Sequence, residues 1–263
     1  AVDKVIVTHR GALRAKYGAA YAARVVPAIA ALVAADRTRG LVTRVVHLDA
    51  KTDMRKLDAP PVTTAGSRRQ HKAAIDGVFA ALRPAYLCLL GAVDVIPHQD
   101  LANPLASDGA PVAWSDLPYA CEATYSRDIA RFKAPSRVVG RLPDLTGARN
   151  PSYLLSLLGK TAQWTSRPAT DYASYFGLST ASWAKSTRQS LFNVFGNSDQ
   201  LLLSPKRGPN FTAAQLAPLS HCINCHGGLS DPCFYGEEDK EKDPDQPVSM
   251  KSDRLVGKIR KGT

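Results

Sequence analysis

Apolar residues follow two rhythms along this chain. Short apolar runs bounded by charge or turn residues stand at Lys4–Thr8, Leu41–Leu48, Ala85–Gly91, Val138–Pro143, Tyr175–Ser179, Gln200–Leu203 and Leu219–Cys225. Such runs read as strands. Between them, Tyr17, Tyr21, Val25, Ile29 and Val33 recur every four residues within Leu13–Ala35. That is a helical period, with Pro27 placed to kink it and Gly40 to close it. Helices are also predicted over Arg68–Leu82, capped by Ser67, and over residues 151–165, 182–195 and 249–261, with a helical turn at Thr212–Leu216. Residues 50–66, 98–118 and 236–245 lack either period and read as loops, the last of them acidic and exposed.

The chain therefore opens strand–helix–strand, which implies a right-handed crossover and a parallel sheet. Ala85–Gly91 is apolar almost throughout, as a central strand buried on both faces should be. The predicted class is α/β, with a mostly parallel central sheet flanked by helices. At 263 residues the expectation is one domain, with sub-domains of about 1–145 and 146–263 as the alternative division.

Composition narrows the partners. Apolar content of 44% and charged content of 22% are those of a globular protein, and no apolar run reaches the ~18–20 residues that cross a bilayer. The net charge is +11, but the basic residues are scattered and no aromatic-interleaved basic stripe occurs. This predicts a solvated surface rather than a nucleic-acid interface. Five cysteines, three of them within twelve residues, do not form an evenly spread disulfide framework. Reduced thiols and a cytoplasmic setting are expected.

Reactive groups concentrate in Leu219–Gly236, LSHCINCHGGLSDPCFYG. Cys222-Ile223-Asn224-Cys225-His226 is a literal C-x-x-C-H, the pattern of covalent haem attachment. His221, Cys222, Cys225, His226 and Cys233 are also competent zinc ligands. In a third reading a strand delivers His226 to a sheet edge, and Gly227 and Gly228 turn the chain away. The apolar, strand-length context favours the third. Cys222 and Cys225 are then core residues, and no cofactor is expected.

SHCINCHGG followed by CFYGEED resembles the catalytic-histidine region of the caspase–gingipain clan (clan CD) of cysteine peptidases, in which a strand ends in His-Gly and the next loop returns to an aromatic-Gly pair. LLGAVDVIP, and SDLPYA followed by VVGRLP, are similar to stretches of the gingipain-like branch. The resemblance implies a caspase-like three-layer sandwich and a cysteine endopeptidase acting on a peptide or protein substrate. In it His226 is general base and acid, and the backbone N–H of Gly227 faces the oxyanion. It also implies that the nucleophilic Cys ends a strand beginning where this chain stops, so that a C-terminal small-subunit segment carries it. Cys222 shares a face with His226 but lies roughly 13 Å away along a strand, and Cys233 is the one local alternative. The resemblance places the pocket for a basic P1 side chain near Asp128, with Asp116 as the second candidate. The competing classes are a non-catalytic interaction module of the same fold, and a metal or haem protein using Cys222, Cys225 and His226.

Overall fold

The computed structural model describes residues 1–104, 110–204, 211–228, 231–237 and 247–259. It is a mixed α/β fold whose mostly parallel sheet is flanked by helices, consistent with a three-layer sandwich. The chain forms two compact units, Ala1–Trp164 and Thr165–Thr263.

The first unit is built on four parallel strands, β1 (Lys4–Thr8), β2 (Thr43–His47), β3 (Tyr86–Leu90) and β6 (Val138–Leu142), in the order β2-β1-β3-β6. Val5, Ile6, Val7, Leu87, Leu89 and Leu90 are almost wholly buried, which is why these runs are apolar without alternation. The first helical stretch is divided. α1 (Arg10–Tyr17) ends at Gly18, and α2 (Val26–Thr38) follows a π-helical turn at Tyr21–Val25. The two segments meet at 113°. The break lies at Gly18, whose φ of 55° suits glycine, rather than at Pro27. Pro27 sits in the first turn of α2, where its missing N–H costs nothing. Among the described residues no single helix is long and apolar enough to cross a membrane.

Two predicted loops are structured. Residues 50–66 contain α3 (Lys51–Arg55), and Met54, Leu57, Ala59 and Val62 join the main core. Residues 98–118 contain an antiparallel hairpin, β4 (Gln99–Ala102) with β5 (Val112–Ser115). α4 (Arg68–Leu82) begins as expected, with the Ser67 hydroxyl accepting from Gln70 N. α5 (Ser152–Ala162) packs on α2, where Arg39 donates to the Thr161 carbonyl at 2.7 Å.

The second unit has a parallel sheet β8-β7-β9, formed by β7 (Tyr175–Thr180), β8 (Leu201–Ser204) and β9 (Ser220–Asn224). β7 is central and buried at every position. α6 (Ala184–Phe195) connects it to β8 and stops at Gly196 in the left-handed conformation. A small antiparallel sheet follows: β10 (His226–Gly227), β11 (Cys233–Tyr235) and β12 (Val248–Lys251). Here the predicted helix over 249–261 is corrected. Its start is β12, paired Phe234 to Met250, and among the described residues a 3-10 turn, Ser252–Arg254, follows it. Residues 238–245 of the predicted acidic loop lie outside the described residues.

Candidate active site

Alternation along β9 sorts the chemistry of the cysteine-rich stretch. Cys222 packs with Tyr175, Leu191 and Leu201, toward α6, and Asn224 on the same side donates to Thr187 Oγ1 at 2.9 Å. Ile223 and Cys225 pack on the other side, with Phe176, Leu178, Phe211 and Met250. The two thiols of C-x-x-C-H therefore enter different cores, because an offset of three residues on a strand reverses the face. A single iron or zinc ion does not meet both. Burial also pushes the Cys225 thiol up to about 11, whereas a metal ligand must be thiolate. Among the described residues no group of three or more His, Cys, Asp or Glu is placed to hold a metal ion. The two thiols thus do not share the face that one metal or haem would need, and each lies partly buried against a different apolar cluster.

His226 returns to the α6 side. It leaves the C-terminal end of β9, the edge at which parallel sheets place their ligand sites. Its ring lies tilted on Trp183, which starts α6, with centroids 4.5 Å apart. Its Nε2 stands 3.5 Å from Glu237 Oε1. Both atoms are buried from solvent, and neither makes a hydrogen bond elsewhere.

Glu237 reaches this position through β-pairing. His226 opposes Tyr235 across β10 and β11. Two residues further along, Glu237 is a diagonal neighbour whose side chain emerges on the same face. Gly236 fixes the path between them. Its N–H donates to the Pro247 carbonyl at 2.8 Å, and a Cβ there would stand 2.2 Å from Ser204 Oγ and 3.0 Å from Ser204 Cβ. Burial works against the Glu237 carboxylate. Ser182, Thr180 and the His226 ring outweigh it and hold the pKa below the ordinary glutamate value.

Gly227 is exposed, and a Cβ on it would touch nothing within 4 Å. Its φ lies outside the left-handed region. The glycine leaves bare space in front of the strand. Cys233 lies on β11 two residues from Tyr235, and Asp231 raises its thiol pKa, opposing activation as a nucleophile.

Asp116 and Asp128 belong to the first unit. Asp116 is clamped by Arg141, from Nε to Oδ2 at 2.7 Å and from Nη2 to Oδ1 at 2.6 Å, and His98 Nδ1 lies 2.9 Å from Oδ1. Burial disfavours this carboxylate, but Arg141 and then His98 hold its pKa below the usual range. Asp128 is exposed, and its Oδ1 accepts from Ala130 N to cap a 3-10 turn. Asp94, in the LLGAVDVIP stretch, accepts from Gly147 N at 2.9 Å and pairs with Lys16, the capping role its loop position suggests.

Glu237, which faces His226, was not singled out by sequence reasoning. Its one signal was its place directly after Tyr235-Gly236, at the head of an acidic run that reads as solvated surface.

No family model matches the chain. No curated protein matches it. A solved structure described as "Structure of Protease" is similar at 19% identity and a TM-score of 0.39, over 70% of this chain. The chain spans 33% of the length of that structure.

Proposed function

We propose that this chain is the histidine-bearing part of a cysteine endopeptidase. The observation that carries the reading is His226 just past the C-terminal end of a parallel strand, facing the half-buried Glu237 carboxylate at 3.5 Å and followed by the exposed Gly227. An imidazole can both take and give a proton, which suits transfer to and from a thiol and a leaving amine. The nucleophilic Cys comes from the segment that the clan resemblance implies beyond Thr263. Its thiol gives a proton to His226, its sulfur bonds the scissile carbonyl carbon, and the carbonyl oxygen takes the negative charge before Gly227 N–H. Collapse expels the amine, which recovers the proton from His226, and water then releases the acyl group. The substrate is a peptide, with a basic P1 side chain recognised by charge pairing. The clan resemblance offers Asp128, whose carboxylate is exposed, and Asp116, which Arg141 already engages, as candidates for that partner.

The test uses protein expressed from its complete reading frame. It is treated with a peptidyl acyloxymethyl ketone carrying Arg at P1, and the labelled residue is mapped by mass spectrometry. One cysteine C-terminal to Thr263 is expected to be labelled, at a rate that His226→Ala lowers at least 100-fold. Asp128→Asn should shift the preference away from Arg. Labelling that His226→Ala leaves unchanged, or no labelling at all, overturns the reading.

A further inference from the structure

We infer that Glu237 is the positioning residue of His226, holding the Nε2–H tautomer so that Nδ1 presents its lone pair to the reacting thiol. The inference rests on the peptidase reading for its chemistry, but its structural half stands alone.

Three observations converge on it. The first is that His226 Nε2 and Glu237 Oε1 face each other at 3.5 Å while both are closed to water and otherwise unpartnered. A buried polar atom without a partner is costly. Here two such atoms of complementary chemistry share one space, and a small ring rotation brings them within hydrogen-bond range. Catalytic hydrogen bonds are often long before substrate binds.

The second is that the carboxylate's position is set by the fold. The His226–Tyr235 pairing puts Glu237 on the histidine's face, and Gly236 threads past the hydrogen-bonded Ser204 and Ser249 hydroxyls where a larger residue would clash with Ser204. The third is the pair's surroundings. Thr180, Ser182 and the Trp183 ring lie against it. None of them carries a charge to compete for either partner, and the indole limits how far the imidazole can turn.

The proton count is simple. With Nε2–H directed at the carboxylate, Nδ1 receives the thiol proton and the ring becomes imidazolium. Glu237 stays ionised throughout and stabilises that cation.

The test is an NMR titration of His226 in the whole protein, with 15N-labelled imidazole, for wild type, Glu237→Gln and Glu237→Asp. In the wild type the 15N shifts should show the Nε2–H tautomer as the main neutral form, a measurement that needs no variant. In Glu237→Gln the His226 pKa should fall by about one unit, with part of the fall recovered in Glu237→Asp. Identical titration of His226 in wild type and Glu237→Gln, or an Nδ1–H tautomer in the wild type, overturns the inference. The ketone labelling separates the two readings. A shifted His226 titration without thiol labelling retains Glu237 and removes the peptidase. Full labelling rate in Glu237→Gln with an unshifted titration does the reverse.

Discussion

The buried ions Asp36, Lys72 and Asp144 each meet an opposite charge. Lys72 is fully buried on α4, and its ammonium reaches both oxygens of Asp76 at 2.6 Å. Arg137 meets the same carboxylate at 2.6 Å. Burial lowers the Lys72 pKa, and Asp76 opposes that. Removing the anion strands two cations, one of them without access to water. Asp76→Asn should therefore destabilise the protein by about 3 kcal/mol, read as a shift in the urea midpoint, far more than an exposed ion pair would lose. At this scale the sequence was partly legible. His226 stood out because a histidine followed by two glycines at the end of an apolar run has few structural uses. Glu237 did not, because an acidic residue beside Glu238 and Asp239 looks like solvated surface until strand pairing gives it a direction.

Apolar strands and the capped helix α4 were read correctly, and the short helix α3 was not. β1, β3 and α4 follow from their patterns almost to the residue. α3 is five residues long, too short for a helical period to register, and the run around it is rich in Lys, Asp and Pro. Its contribution is Met54, wholly buried in the main core. Met54→Ala should lower stability by about 2–3 kcal/mol in a denaturant titration. A value near zero would return residues 50–66 to the surface. The predicted last helix failed for a different reason. Leu255, Val256 and Ile259 recur at helical spacing, yet Met250 and Ser249 before them are buried by pairing with β11 and by contact with Ser204. A tertiary contact decided the conformation against local periodicity.

On the scale of the whole molecule, each unit carries its own core. The largest apolar cluster runs from Val5 to Leu158 and draws its partly buried neighbours from Val2 to Ala162. Residues 165–263 hold two smaller ones, around Phe176 and Met250 and around Tyr175 and Leu191. Residues 1–164 expressed alone should fold and melt in one cooperative transition by circular dichroism, since a core of that size suffices for a domain. A non-cooperative melt would place the boundary elsewhere. The charge is divided unevenly as well. Residues 1–164 carry 22 basic and 13 acidic side chains, and residues 165–263 carry 12 and 10. The basic character thus belongs mainly to the unit that does not hold His226.

The opposed faces of Cys222 and Cys225 carry a consequence for redox behaviour. Three residues of extended strand separate their α-carbons by roughly 10 Å, beyond the ~7 Å that a disulfide tolerates. An oxidant that closes the C-x-x-C of a helix N-terminus would have to unzip β9 from β7 to close this one. The motif that looks most like an electron-transfer pair is thus kept by the sheet from closing on itself while β9 stays in register with β7.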